Sequence, residues 1–468
     1  MTMIKKGIAV VILGASLSVY GYAKADAISD VELELATQQL PEADLAVQQG
    51  DYRKAFDIYQ HFAKEGIVEA EYQLAWMYQN GYGVDKSDEN AAAWYMKASS
   101  VLPAAGFAIG TMYYYGLGVE QGLAPAITFY KRAAAQKNPS AQYMMGYLSA
   151  SGQGMPVDLT AAIDWYTKAA EQSFPQAQYN LALMYYNGRG VTKDVSKAAN
   201  WFSLAAQQGF PKAQEMMGVM YQNGWGVASD KDQAFHMYTS AAEKGIPEAQ
   251  YNLGICYYNG IGTPIMLSMA VKWVKASADQ GFAVAQYLYG YLTFNGVGMS
   301  ANKQSAIEWY TKAAAQNLPE AQFALGYLYH NGLGVPKDEA KAFAYFMAAA
   351  KQGLSNAQYM TGLFYQKGIG TLSDAKAAAN WYSLAALQGM DNAQLLLGVM
   401  YAEGEGIVRN TQTAYAWLDL ASTSSNNQIR ESAIKMRDEI GKQLKPDEIA
   451  AAKDLAKRYY SQYMGNNG

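Results

Sequence analysis

The groups best able to do chemistry in this 468-residue chain are few: one cysteine, three histidines, three Ser-x-x-Lys strings and a recurrent Gly-x-Gly. A Gly-x-Gly can cradle phosphate on free backbone amides, but that use wants a preceding strand and a following Lys-Ser or Lys-Thr, and the sequence offers neither. Ser300–Lys303, Ser373–Lys376 and Ser432–Lys435 have the spacing of an acyl-enzyme nucleophile and its neighbouring lysine. The Ser-Asp-Asn and Lys-Thr-Gly strings that complete such a site are missing, as is a Gly-x-Ser-x-Gly elbow. Cys256 stands in a slot that is otherwise apolar, so a buried, inert thiol is expected; a reactive one wants exposure and cationic neighbours. One cysteine excludes an internal disulfide framework and a Cys-cluster metal site. His61, His236 and His330 fall in different slots of distant segments, so no metal site and no cofactor is expected. The chain reads as non-enzymatic.

The Gly-x-Gly strings have a better use in the elements around them. They begin at Gly81, Gly116, Gly152, Gly188, Gly224, Gly260, Gly296, Gly332, Gly368 and Gly404, one step of 35 residues and then eight of 36. Numbered from that first glycine, position −11 is Ala in all ten copies, −6 is Gly or Ala, and −4 is apolar. Position +10 is Ala throughout, and +13 is Trp in seven copies, from Trp94 to Trp417. These spacings are helical, not alternating. Each unit is therefore helix A, a glycine turn, then helix B, with small residues letting backbones approach and the Trp filling the wedge between neighbouring pairs.

Punctuation falls where this pattern requires it. Position +6 is an N-cap type in eight copies, among them Asp158, Asp194, Asp230, Asp338 and Asp374. Gly209, Gly245, Gly281, Gly353 and Gly389 suit a left-handed helix end, and Pro139, Pro175, Pro211, Pro247 and Pro319 suit the first turn of the next helix A. The ends of the array differ, as capping units must. Asp51 to Gly66 repeats the helix B pattern through Ala55, Tyr59 and Ala63, and a helix from Pro446 to Tyr459 is expected over the last face.

The first residues read as a secretory signal peptide: Lys5 and Lys6, an apolar stretch from Gly7 to Val19, and the small-residue string Ala23-Lys24-Ala25. The apolar run falls short of the roughly 20 residues that cross a bilayer, so no stable membrane anchor is expected after cleavage following Ala25. Cleavage removes three lysines and no acid, moving the net charge from −4 to −7. That balance disfavours nucleic acid and anionic membrane surfaces as partners. The expected division is a signal peptide over 1–25, capping helices over 26–66, ten repeats over 67–423, and a capping helix with polar tail over 424–468. The mature chain is expected to be a periplasmic or secreted monomer.

The string Ala177-Gln178-Tyr179-Asn180-Leu181-Ala182-Leu183-Met184-Tyr185-Tyr186-Asn187-Gly188-Arg189-Gly190-Val191, followed by Trp201, Ala205 and Ala206, resembles the Sel-one-like repeat (SLR) family, relatives of tetratricopeptides with a longer loop. The resemblance spans roughly residues 50–423. It implies an all-α fold, a right-handed α/α solenoid of about ten 36-residue helix-turn-helix repeats, serving as a protein-interaction scaffold. Exported bacterial members of the family often act in the cell envelope or in host interaction. Links of some cysteine-rich members to β-lactam binding make a cell-wall glycan or β-lactam binding or processing protein the alternative.

Positions −8, −5 and −2 form one stripe on helix A, and they vary from copy to copy. In an α/α superhelix the A helices line the concave surface, so this stripe would be its floor. At −5, packing between adjacent A helices competes with exposure; at −2, a mixture of Tyr, Gln, His and Phe suits exposure. The candidate contacts are Tyr147, Tyr186, Gln222, Tyr258, Tyr291, Phe294, Tyr327, His330 and Gln366. Aromatics and amides with few charges suit a protein or peptide segment, with a glycan as the competing ligand.

Overall fold

A computed structural model describes residues 30–464, with side chains described for 38–462. The signal peptide and its cleavage site therefore lie outside the described residues. Within them every regular element is a helix: twenty-four α-helices and a terminal π-helical turn, Tyr460–Met464. The chain forms two compact units, meeting in sequence at Ser229 and Asp230. With repeats numbered 1 to 10 from Gly81 to Gly404, the first unit holds helices Asp30–Gln49 and Tyr52–Lys64, repeats 1 to 4, and helix A of repeat 5 (Pro211–Asn223). The second holds helix B of repeat 5 (Lys231–Glu243), repeats 6 to 10 and two further helices. Inside each unit a helix packs chiefly on the helix before it and the helix after it, which is solenoid packing.

The capping residues act as the pattern requires. All eight N-cap types accept a backbone N–H from the first turn of helix B, as Asp194 does from Lys197 at 2.9 Å and Asp374 from Ala377 at 2.9 Å. The two exceptions, Gly122 and Met266, make no such bond. The two glycines of each turn serve different ends. The first closes helix A in the left-handed region, as Gly368 does at φ 62°. The second lets the turn lie on the backbone of the preceding repeat: a Cβ on Gly370 would stand 2.1 Å from the Glu339 carbonyl oxygen.

Between the paired helices, the small −6 residue faces the ring at +14. A Cβ on Gly326 would come within 2.8 Å of Phe346, and one on Gly290 within 2.9 Å of Tyr310. Tyr95, Tyr130, Phe202, Tyr238, Phe346 and Tyr382 of this slot are fully buried. Here the structure corrects the sequence reading. The +13 tryptophans rim the repeat interface instead of filling it: all but Trp417 are half-buried, with lysine ammonium groups above Trp94 and Trp309 at 3.8 and 4.0 Å. The wedge belongs to the neighbouring +14 ring, whose aromatic character in eight copies is the signal for it.

A second periodic feature is polar. Seven of the eight buried glutamines at −10, all but Gln322, donate to a carbonyl of the preceding helix B, as Gln178 does to Ala170 at 3.1 Å and Gln286 to Ala278 at 3.2 Å. In six repeats the amide oxygen at −10 accepts from a glutamine closing helix B of the same repeat, as from Gln208 to Gln178 at 2.8 Å and from Gln316 to Gln286 at 2.8 Å. One amide thus joins three helices.

At the N-terminal end, Ala55, Tyr59 and Ala63 are buried in helix Tyr52–Lys64 as the helix B pattern requires. At the C-terminal end, Pro446–Tyr459 forms as expected and its Tyr459 stacks on Trp417 at 4.4 Å. Helix Asn427–Gly441 was not foreseen. It starts 36 residues after helix A of repeat 10, so it stands in the register of an eleventh helix A, but Ile429 replaces the alanine at −11.

Candidate partner-binding face

Helix A of every repeat buries −11, −10, −7, −6 and −4 against its neighbours, which leaves −8, −5 and −2 on the remaining side. No described −5 or −2 residue is fully buried in any repeat. The two slots differ in degree. Tyr291 and Tyr327 at −5 are 42% and 49% exposed, whereas every −2 residue is half-buried. The side-chain types at −2 suit greater exposure than this. In repeats 2 to 4 the turn contributes to this burial: the residue between the two glycines of the next repeat, Gln153, Arg189 or Trp225, lies against the −2 residue Tyr114, Ala150 or Tyr186.

In the first unit Tyr114 donates to Gln153 at 2.6 Å, and Gln153 donates to the hydroxyl of Tyr147 at 3.3 Å. Arg189 likewise reaches back to the Ala150 carbonyl at 2.8 Å. Tyr115 remains exposed beside this chain, its ring edge-on to Tyr114 at 4.9 Å. Burial, and then the adjacent hydroxyls, raise the pKa of Tyr114 and Tyr115 above the ordinary tyrosine value, so these groups stay neutral donors. Tyr186 lies 6.4 Å from Trp225, ring to ring. Gln222 is half-buried, and its carbonyl accepts from Ser229 at 3.4 Å.

In the second unit, half-buried Tyr258 packs at the edge of the core around Val274, Tyr289 and Leu292. Phe294 lies under Lys303 at 5.8 Å. His330 Nδ1 sits 2.6 Å from the Glu339 carboxylate, which also receives Lys337 at 2.8 Å, and the imidazole rests 5.1 Å from Phe364. Burial works to raise the Glu339 pKa, but hydrogen bonds from Lys337 and His330 outweigh it and hold the carboxyl below its ordinary range. Gln366 accepts the hydroxyl of Tyr382 at 2.9 Å. Tyr258, Phe294, His330 and Gln366 are therefore partly used internally, while Tyr291 and Tyr327, one repeat apart, present nearly half of their surface.

The groups considered for chemistry are scattered. Cys256 is buried, and burial pushes its thiol up to about 11. His61 and His236 are exposed on helices of different units. Ser373 donates to the Gln366 carbonyl at 3.2 Å. Ser432 and Lys435 lie along a cleft of about 390 Å³ opposite Val399 and Ala402. Among the described residues no three His, Cys, Asp or Glu side chains group as a metal site would require, and no helix is long and apolar enough to cross a membrane.

Comparison with known proteins agrees with this geometry. The Sel1 repeat family model matches ten successive segments: 68–100, 103–138, 139–174, 175–210, 211–246, 247–282, 283–318, 319–354, 355–390 and 391–426. Among solved structures, the chain is similar to a protective antigen present in uropathogenic Escherichia coli strains that displays an SLR fold, with 32% identity, 94% of this chain and 96% of that one covered, and a TM-score of 0.80. It is also similar to a Sel1 repeat protein from Oxalobacter formigenes, with 30% identity over 66% of this chain and 90% of that one, and a TM-score of 0.52. No curated protein matches the chain.

Proposed function

The chain belongs to the Sel1 repeat family, whose members generally act as protein-interaction scaffolds, and from that premise we propose an exported, non-catalytic scaffold that holds a protein partner on the helix A stripe. The observation that carries the assignment of the face is the pair Tyr291 and Tyr327, large aromatic side chains 42% and 49% exposed in the same slot of consecutive repeats. Water-exposed tyrosines combine apolar area with a hydroxyl at little conformational cost, which suits anchors for a partner. Tyr147 and Tyr258 on the same stripe extend the surface within their own units. Export is supported by Lys5, Lys6 and the apolar stretch ending before Ala23-Lys24-Ala25, and by the similarity to a protective antigen. The mature chain is read as a periplasmic or secreted monomer.

The test is site-specific photo-crosslinking in the native cell. A photoreactive residue at 291 or 327 should yield adducts with one protein, while the same residue at 384, an exposed helix B position, should not. Equal adducts from all three positions would reject the face.

A further inference from the structure

Trp225 sits between the two glycines of the repeat 5 turn, and it is the one tryptophan of nine that is exposed, at 44%. The turn glycines Gly224 and Gly226 flank it with φ 69° and 70°, so no side chain shields its ring from either neighbouring position. Across from it stands Tyr186, the rings 6.4 Å apart and inclined at 44°. The two rings with Lys193, Val195 and the turn glycines bound a cleft of about 500 Å³, within the roughly 300–1,000 Å³ of small-ligand sites. Lys193 is exposed, its ammonium lies 5.8 Å from the Tyr186 ring, and among the described residues it meets no carboxylate. Asp194 beside it is turned away, capping Lys197.

From the inclined Trp225–Tyr186 pair and the unpaired Lys193 at its edge, we propose that this cleft binds a pyranose bearing a carboxylate, Tyr186 being shared with the helix A stripe. Each part answers one chemical feature of that ligand. The flat C–H face of a pyranose covers an aromatic ring, while its hydroxyls remain in water at the open rim. The ammonium supplies a charge-assisted hydrogen bond to the carboxylate. A cationic ligand would meet Lys193 as a like charge, and a wholly apolar one would leave the ammonium unanswered.

The experiment is saturation-transfer NMR and calorimetric titration of the full chain with glucuronate, with glucose and with an acetylated tripeptide as a carboxylate lacking a sugar. Glucuronate should bind with a dissociation constant on the order of 1 mM, and glucose about tenfold more weakly. Lys193→Met should bring glucuronate down to the level of glucose, and Trp225→Ala should abolish both. The two substituted side chains are exposed, so thermal midpoints should not move; Lys193→Met carries the test even if Trp225→Ala lowers stability. No saturation of the glucuronate ring protons at about 10 mM, equal binding by the tripeptide, or unchanged affinity in Trp225→Ala would overturn the site.

Discussion

Gln388 donates to the side-chain oxygen of Gln358 at 2.7 Å, and Gln358 passes the chain on by donating to the Ala350 carbonyl at 3.3 Å. Three helices, Glu339–Lys351, Ser355–Lys367 and Ala375–Leu387, are joined through one buried amide. Glutamine suits this role because its side chain donates and accepts at once, whereas a carboxylate could only accept. Gln358→Leu should leave the Ala350 carbonyl and the Gln388 amide short of partners, at a cost of roughly 1–3 kcal/mol. Chemical denaturation of the full chain measures it. A change no larger than that of Lys351→Ala, on the exposed side of the preceding helix, would contradict the role.

Repeat 1 carries Glu71 in this same −10 slot, 8% exposed. Burial raises its pKa from 4.5 to about 7, with Lys97 pulling the other way. A carboxyl whose folded pKa lies above its unfolded one binds more protons in the folded state, so stability falls as pH rises from about 4.5 to 7. Glu71→Gln should flatten this part of the stability–pH profile and stabilise the chain by about 1–3 kcal/mol at pH 8. A pH 5 to pH 8 difference in melting temperature identical to that of the wild type would rule out Glu71 as the source.

The left-handed slot between helix B and the next helix A is glycine in five copies, but Lys137, Ser173 and Asn317 occupy it at φ 65°, 62° and 63°. A side chain there costs what glycine does not. Lys137→Gly and Ser173→Gly should each stabilise by about 0.5–1 kcal/mol, with Asn317→Gly smaller because asparagine tolerates this region. The reverse change is informative: a Cβ on Gly245 meets nothing within 4 Å, so Gly245→Ala should cost about 1 kcal/mol through backbone conformation alone. Thermal melts that show no gain for Ser173→Gly would contradict the argument.

Gly362 faces Tyr382, and a Cβ there would stand 2.8 Å from the ring, whose hydroxyl is tied to Gln366. Because the tether limits retreat of the ring, Gly362→Ala should destabilise by about 1–3 kcal/mol despite the higher helix propensity of alanine. Net stabilisation in a denaturant titration would show that the helix pair has more room than this close contact implies.

How far the sequence could carry this structure is visible slot by slot. Alanines at −11 and +10, the N-caps and the turn glycines are local devices whose partners lie within one helix or one repeat, and they were legible. The Gln178–Gln208 stitch was not: its members are 30 residues apart and polar, so an apolar periodicity passes over both. Helix Asn427–Gly441 escaped because it kept the 36-residue register but lost the alanine at −11 and the paired glycines. The unequal exposure of −5 and −2 depends in part on a residue 39 positions ahead, Gln153 over Tyr114 and Trp225 beside Tyr186, a relation that spacing within one helix does not contain.

The face itself can be tested before any partner is known. Tyr327 is 49% exposed at −5, whereas Tyr310 at +14 of the preceding repeat is 5% exposed and packs against the open side of Gly290. A residue kept for binding contributes little to folding, so Tyr291→Ala and Tyr327→Ala should each change stability by less than about 0.5 kcal/mol. Tyr310→Ala removes a buried ring and should cost about 3–5 kcal/mol. Against a partner recovered by crosslinking at 327, the order must invert, with Tyr291→Ala and Tyr327→Ala each weakening binding by about 2 kcal/mol, or some thirtyfold. If Tyr327→Ala destabilises the fold as much as Tyr310→Ala, the tyrosine is a packing residue and the stripe loses its strongest anchor.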